Sequence, residues 1–473
     1  MIVVAFAAAA LAAPPEFDGE VRLIGSLSPD VVVDADGTST GQGPVLDSRV
    51  RLGLSQELGR TALVGEIDLF AGQLLGDTWD LGVTDDERHR EAYGALELRG
   101  IQPRQLNIAY QNDLLGLQAG LVTSQWGLGL VASSGAVDPL FGRVDGGDRV
   151  VRARVGTLPV RGDRGVLAVF VAGDLVAADE LAHLTRGQRA LQGIAGALWQ
   201  GSGSDDLGIY LVYRDQVEAN GLATRAGVAD VFVTVEVPAG SGAITVAGEA
   251  AGILGHTERA QTYGHPEGAS VLSVGAAAHA TYAAAEERFS VFLRGTYASG
   301  DGAPDDAAVH DFTFDPNHNV GMVLFDEVGA AIEAGTWRLA TDPENTGQPP
   351  EGVDTLTTEG SFRRAVALQL AGEVRPVAWT LVRVGVMRAW STAPIAQGFY
   401  SARNGGVPTT HHDLASTGRA LGTELDAAVL VEAQGAYKPA GELQVGHAFL
   451  SPDLAGPGPA GATLVLLTGR LRW

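Results

Sequence analysis

The chain ends Ala462-Thr463-Leu464-Val465-Leu466-Leu467-Thr468-Gly469-Arg470-Leu471-Arg472-Trp473. Val465, Leu467, Leu471 and Trp473 share the odd positions with Gly469, and Thr468, Arg470 and Arg472 take the even ones. A period of two means a strand with one apolar and one polar face. The last aromatic is in phase with the apolar face. Such a strand needs neighbours of the same kind, and the chain supplies them.

Alternating segments run at 19–33, 46–54, 63–71, 92–99, 106–111, 117–123, 149–157, 165–175, 189–199 and 207–214. They continue at 228–237, 243–254, 271–282, 289–297, 320–331, 362–374, 377–390, 422–433, 443–450 and the terminal strand. Short connections (57–60, 161–164, 238–241, 286–287, 375–376, 435–441) alternate with long ones (34–44, 77–89, 216–226, 255–268, 391–417, 451–459). Short turns on one side and long loops on the other are the order of an outer-membrane β-barrel. The order slips at 106–111 and at 320–331, and dropping one strand at each slip leaves eighteen. The sequence thus predicts an all-β, up-and-down antiparallel transmembrane barrel of about eighteen strands, sixteen to twenty being the range its boundaries allow. No period of about 40–50 residues supports a propeller. Aromatics, at 6%, are sparse for interfacial girdles.

Bulk composition narrows the chemistry. The chain has 473 residues and no cysteine, which excludes disulfides, thiol nucleophiles and thiolate metal sites. Its net charge is 32 − 56 = −24, which argues against nucleic acid as a partner. Lys438 is the only lysine, so positive charge is nearly all arginine. Residues 1–13 end in an apolar run with an Ala-x-Ala pattern, the mark of a secretory signal peptide, although the usual basic start is missing. Residues 14–473 then form one barrel domain in the outer membrane of a Gram-negative cell.

Parity assigns the lumen. Arg49, Arg51, Glu66, Asp68, Glu97, Arg99, Arg152, Arg154, Glu249, Arg294, Arg363, Glu373, Arg383, Glu424, Asp426, Glu432, Arg470 and Arg472 fall on polar faces. Basic residues on one strand and acids on the next predict cross-strand pairs within a wet interior. The glycine-rich connection 124–148 is long enough to fold inward as a constriction, with Asp138, Arg143, Asp145, Asp148 and Arg149 setting the local field. The alternative is an interlocked, plugged lumen.

Three stretches carry resemblances. The terminal strand resembles that of bacterial outer-membrane barrels, whose final aromatic is read by the barrel assembly machinery, which implies that role for Trp473. Trp126-Gly127-Leu128-Gly129-Leu130 with Asp148-Arg149-Val150, and Phe314-Asp315-Pro316-Asn317-His318-Asn319-Val320, resemble a family of uncharacterised predicted outer-membrane proteins of myxobacteria and their relatives. Leu421-Gly422-Thr423-Glu424-Leu425-Asp426 with Gly446-His447-Ala448-Phe449 is similar to the end of alginate-export-type porins. That second likeness implies an eighteen-stranded barrel, an inward loop and passive export of an anionic polysaccharide. The acidic balance departs from it.

These readings predict a porin or channel for passive diffusion or export of hydrophilic solutes or a polysaccharide, embedded in outer-membrane lipid and lipopolysaccharide. A plugged adhesin or structural anchor acting through acidic loops is the first alternative, and a rim-located hydrolase the second. No G-x-S-x-G or H-E-x-x-H motif marks a catalytic centre, so no enzyme is expected. His411-His412-Asp413 has metal-ligating side chains, but adjacent histidines point apart on an extended chain. No cofactor is expected beyond Ca²⁺ held loosely by acidic loops, since no dedicated calcium-loop pattern is present.

Overall fold

The computed structural model describes residues 14–40, 43–76, 99–144, 146–203, 205–261, 265–284, 288–303, 306–342, 345, 360–435 and 437–473. The strands are β1 (Glu16–Leu27), β2 (Pro44–Leu58), β3 (Thr61–Gly76), β4 (Arg99–Gln111), β5 (Leu115–Thr123), β6 (Arg149–Gly162), β7 (Gly165–Ala178), β8 (Arg189–Gly201), β9 (Asp206–Val217) and β10 (Ala223–Ala239). They continue as β11 (Gly242–Thr257), β12 (Ala269–Ala283), β13 (Phe289–Ala298), β14 (Ala308–Val309), β15 (Ala365–Val377), β16 (Thr380–Ser391), β17 (Ala420–Glu432), β18 (Lys438–Leu450) and β19 (Gly461–Arg472).

Each wall strand pairs antiparallel with its neighbours, and β1 pairs with both β2 and β19, which closes the ring. β13 pairs directly with β15, while the two-residue β14 rests parallel on β12 outside the wall. Nineteen strands less β14 give a closed wall of eighteen. Closure leaves no unpaired edge, which a lipid phase could not satisfy. At the seam, Trp473 and Gly19 exchange two backbone hydrogen bonds, of 3.1 and 3.2 Å. A Cβ on Gly19 would lie 2.2 Å from the indole, so glycine lets the last aromatic lie flat across the seam.

The alternation of the terminal strand holds in three dimensions. Leu464 and Leu466 face inward and are buried, whereas Leu467 faces out and is 60% exposed. Leu211, Val233, Leu254, Leu272, Leu293 and Leu370 are exposed in the same way. An apolar exterior of this kind suits acyl chains and not water, so the wall is a membrane wall. Exposed aromatics form two girdles in spite of their scarcity. Phe17, Phe289, Trp379, Tyr437 and Trp473 lie at the short-turn end, and Tyr213, Tyr297 and Phe449 at the long-loop end.

Two expected strands are not separate wall strands. Residues 92–98 lie outside the described residues, and 106–111 is the second half of β4. Pro103 interrupts the sequence pattern, but it sits at a bulge opposite Glu66 and Ile67, where proline is tolerated. Residues 320–331 are not a strand. They enter a π-helical turn, Leu324–Gly329, that continues as α1 (Ala330–Thr341). Met322, Val323, Leu324, Phe325, Val328 and Ala331 are all buried, so no polar face exists to fix a period of two. The expected long loop at 216–226 is also mostly strand, with only residues 218–222 between β9 and β10. The expected signal peptide, 1–13, lies outside the described residues.

The connection between β13 and β15 folds into the barrel with residues 124–148 and the β1–β2 loop. Val31, Val33, Leu130, Phe141, Phe312, Phe314, Met322, Phe325 and Phe362 form one core with Leu464 and Leu466 of the wall. The interior is therefore apolar where these segments meet the wall and charged elsewhere.

Candidate functional site: a constriction inside the barrel

Residues 124–148 cross the lumen because the wall holds them at several points. Trp126 donates its indole N–H to Asp230 at 3.0 Å, stacks on Tyr210 with centroids 4.7 Å apart and meets Phe232 edge-on. Glu249 accepts from the backbone N–H groups of Leu128 and Leu130. Gly127 has φ +49°, and a Cβ there would fall 2.5 Å from the Glu249 carboxylate. Glycine is thus required where the loop touches its anchor. Across the barrel, Gln444 exchanges hydrogen bonds of 2.8 and 3.1 Å with Gly142, Arg383 donates to the Leu140 carbonyl, and Arg143 pairs with Asp47 at 2.7 Å.

The β13–β15 connection is held in a similar way. Glu424, fully buried, accepts from the N–H groups of Met322, Val323 and Leu324, the last two at 3.1 and 2.7 Å. The preceding Gly321 has φ +81°, and a Cβ there would sit 2.7 Å from a Glu424 oxygen. The two inward segments also bind each other. Asp315 N–H donates to Leu130 O at 2.8 Å, Ser133 N–H to Asp315 Oδ2 at 2.9 Å, and Asn319 Nδ2 to Arg143 O at 2.7 Å.

Where they meet a third segment, the β7–β8 loop, three carboxylates converge. Each of Asp148, Glu180 and Asp315 offers an oxygen within 4.8 Å of the others. They line an opening of about 130 Å³ that also includes Arg104, Arg143, Arg149, His183, Asn317 and Asn319. Acid and arginine thus line the same opening. Burial, then Asp315, Glu180 and Asp179, push the Asp148 carboxyl well above the usual carboxylate range. Burial, then Asp179 and Asp315, do the same to Glu180. Asp315 is pushed up to about 7, with burial outweighing the N–H groups of Asn317 and Ser133. Asp179 differs: burial would raise it, but Arg214, 2.6 Å away, holds it below the usual range. Below the opening, Arg294 lies beside His279, His318 and Asn319 and makes no ion pair or hydrogen bond among the described residues.

The structure brings only part of the predicted set together. Arg143, Asp148 and Arg149 line the opening. Asp138 is mostly exposed and pairs with Arg470 at 2.9 Å. Asp145, Glu97 and the Arg99 side chain lie outside the described residues. Wall charges pair along the strands: Arg51 with Asp68 at 2.7 Å, Arg104 with Glu66 at 2.7 Å, Arg152 with Asp174 at 2.6 Å and Arg49 with Glu20 at 2.6 Å. Arg154 lies over the Phe170 ring. Glu424 grips backbone of the plug rather than facing open lumen, and Asp426, two residues on, is buried beside it with neither carboxylate oxygen held by a hydrogen bond among the described residues. The rings of His411 and His412 lie 3.9 Å apart, tilted by 42°, but Asp413 turns away to Arg403 and Asn404, and the three do not converge. Arg104 and Glu180 went unread. Arg104 fell between two candidate strands split by Pro103, and Glu180 sits in a loop with no motif.

No family model matches the chain, and no curated protein matches it either. Solved structures do match. A double-substitution variant of OccD1 (OprD) aligns with a TM-score of 0.52 at 10% identity, covering 98% of this chain and 97% of its own. Pseudomonas aeruginosa OccK5 (OpdH) aligns at 0.51 and 9% identity, covering 97% of each chain. The fold is a porin fold. At these identities the likeness is one of architecture, and it carries no support for the myxobacterial or alginate-export families in particular.

Proposed function

We propose that this protein is a non-enzymatic outer-membrane channel for small hydrophilic solutes. The observation that carries the reading is the opening inside a membrane wall, lined by Arg104, Arg143 and Arg149 together with Asp148, Glu180 and Asp315. Opposed charges replace part of a solute's hydration shell as it passes a narrow point. About 130 Å³ holds on the order of ten water-sized spheres. Ions and small polar molecules fit this volume. Most wall arginines are paired with carboxylates, and the chain carries a net charge of −24. A mild preference for cations follows. Assembly through Trp473 belongs to the same reading.

Purified protein in planar bilayers should give discrete conductance steps, with a reversal potential in a salt gradient that favours cations. A clear anion preference would contradict the assignment of the opening. Complete absence of steps would favour the second reading, a plugged barrel acting through its external loops. The apolar core joining the inward segments is the observation on that side.

A further inference from the structure

We infer that Asp148, Glu180 and Asp315 form a binding site for a divalent cation, Ca²⁺ in preference to Mg²⁺, that joins three inward segments of the barrel. The donors come from the end of the 124–148 loop, the β7–β8 loop and the β13–β15 connection, so no local turn explains their meeting. Asp148 is 7% exposed, faces the opening and receives no hydrogen bond from any described residue. A buried carboxylate without a donor costs several kcal/mol unless something compensates it. Of the nearby arginines, Arg214 is engaged with Asp179 at 2.6 and 3.2 Å, Arg104 with Glu66 and Arg143 with Asp47, each at 2.7 Å. Asp179 also accepts from the N–H groups of Leu181 and Ala182, so it supports the site without being a ligand.

Size separates the two cations. Calcium, the larger ion, takes six to eight oxygens at about 2.3–2.6 Å in flexible geometry, whereas magnesium, at about 2.1 Å, demands near-octahedral geometry and usually keeps several waters beside one or two carboxylates. Three carboxylates from three separate segments lie within 4.8 Å of one another here. That many charged donors on independent segments suit the larger, more adaptable ion. Three carboxylates around one opening also leave room for water to complete the coordination, as an exposed extracellular site uses.

The site stands whether or not the barrel conducts, and the test does not depend on current. Chelator-treated protein in lipopolysaccharide-free detergent is titrated with CaCl₂ by calorimetry, and its unfolding is followed with and without the ion. Wild type should bind Ca²⁺ at least tenfold more tightly than Mg²⁺ and gain several degrees in unfolding temperature. Asp148→Asn should lose most of that gain and weaken binding at least tenfold. Without calcium the same variant should be at least as stable as wild type, because the Asp148 side chain has no hydrogen bond from a described residue to lose. That opposite sign separates a lost ligand from a damaged fold. Absence of calcium binding by wild type, or an equal thermal gain in Asp148→Asn, would overturn the site. A Mg²⁺ response equal to that of Ca²⁺ would overturn the size argument.

Discussion

Replacing Glu424 with alanine should release the helical plug and raise single-channel conductance several-fold. The carboxylate accepts three consecutive backbone N–H groups, from Met322 to Leu324, at the point where the chain turns into the lumen. Hydrogen bonds to a charged acceptor contribute about 1.5–3 kcal/mol each, and an orphaned buried N–H costs about 1–3 kcal/mol. Alanine supplies no acceptor to these three groups. The wall itself should survive, since β17 keeps its ladders to β16 and β18. Glu424→Gln keeps one acceptor oxygen and should fall between wild type and alanine. Hydrogen exchange at Met322, Val323 and Leu324 reports the release independently of current. Unchanged protection there, together with unchanged conductance, would show that the aromatic core alone holds the plug.

The second large effect is expected at Trp126. Its ring is buried among Tyr210, Phe170 and Phe232 on the inner wall, and its N–H reaches Asp230. Truncating a buried tryptophan to alanine costs about 3–5 kcal/mol. That loss falls on the first anchor of the 124–148 loop, while the strands lose only a side chain that lay over them. Trypsin added from the long-loop side should then cut at Arg143, which the wild-type loop protects by pairing it with Asp47. Mass analysis of the fragments reads this directly. An uncut Trp126→Ala protein that folds normally would place the loop's attachment at Glu249 and Gln444 instead.

Much of the wall was legible because a lipid exterior enforces strict alternation. Leu467 out and Leu466 in is a pattern that neither helix nor loop produces, and the order of short and long connections fixed the strand number. Pro103 misled only locally, because a bulge accommodates it inside β4. The plug was illegible for the complementary reason. A segment buried on every side, as Met322 to Val328 is, has no polar face to betray its period. Parity found the charged lumen face, including Arg51 opposite Asp68 and Arg152. It could not find the meeting of Asp148, Glu180 and Asp315. That junction depends on where three connections cross in space, and their sequences carry no register.

Because Leu130 and Phe141 of one inward segment share a core with Phe312, Phe314 and Phe362 of the other, neither has an interior of its own to retreat to. Thermal agitation must therefore shift them jointly. In an electrical trace such a body should behave as a single two-position switch, flickering between one blocked and one cleared level, where independent lids would leave a staircase of sublevels.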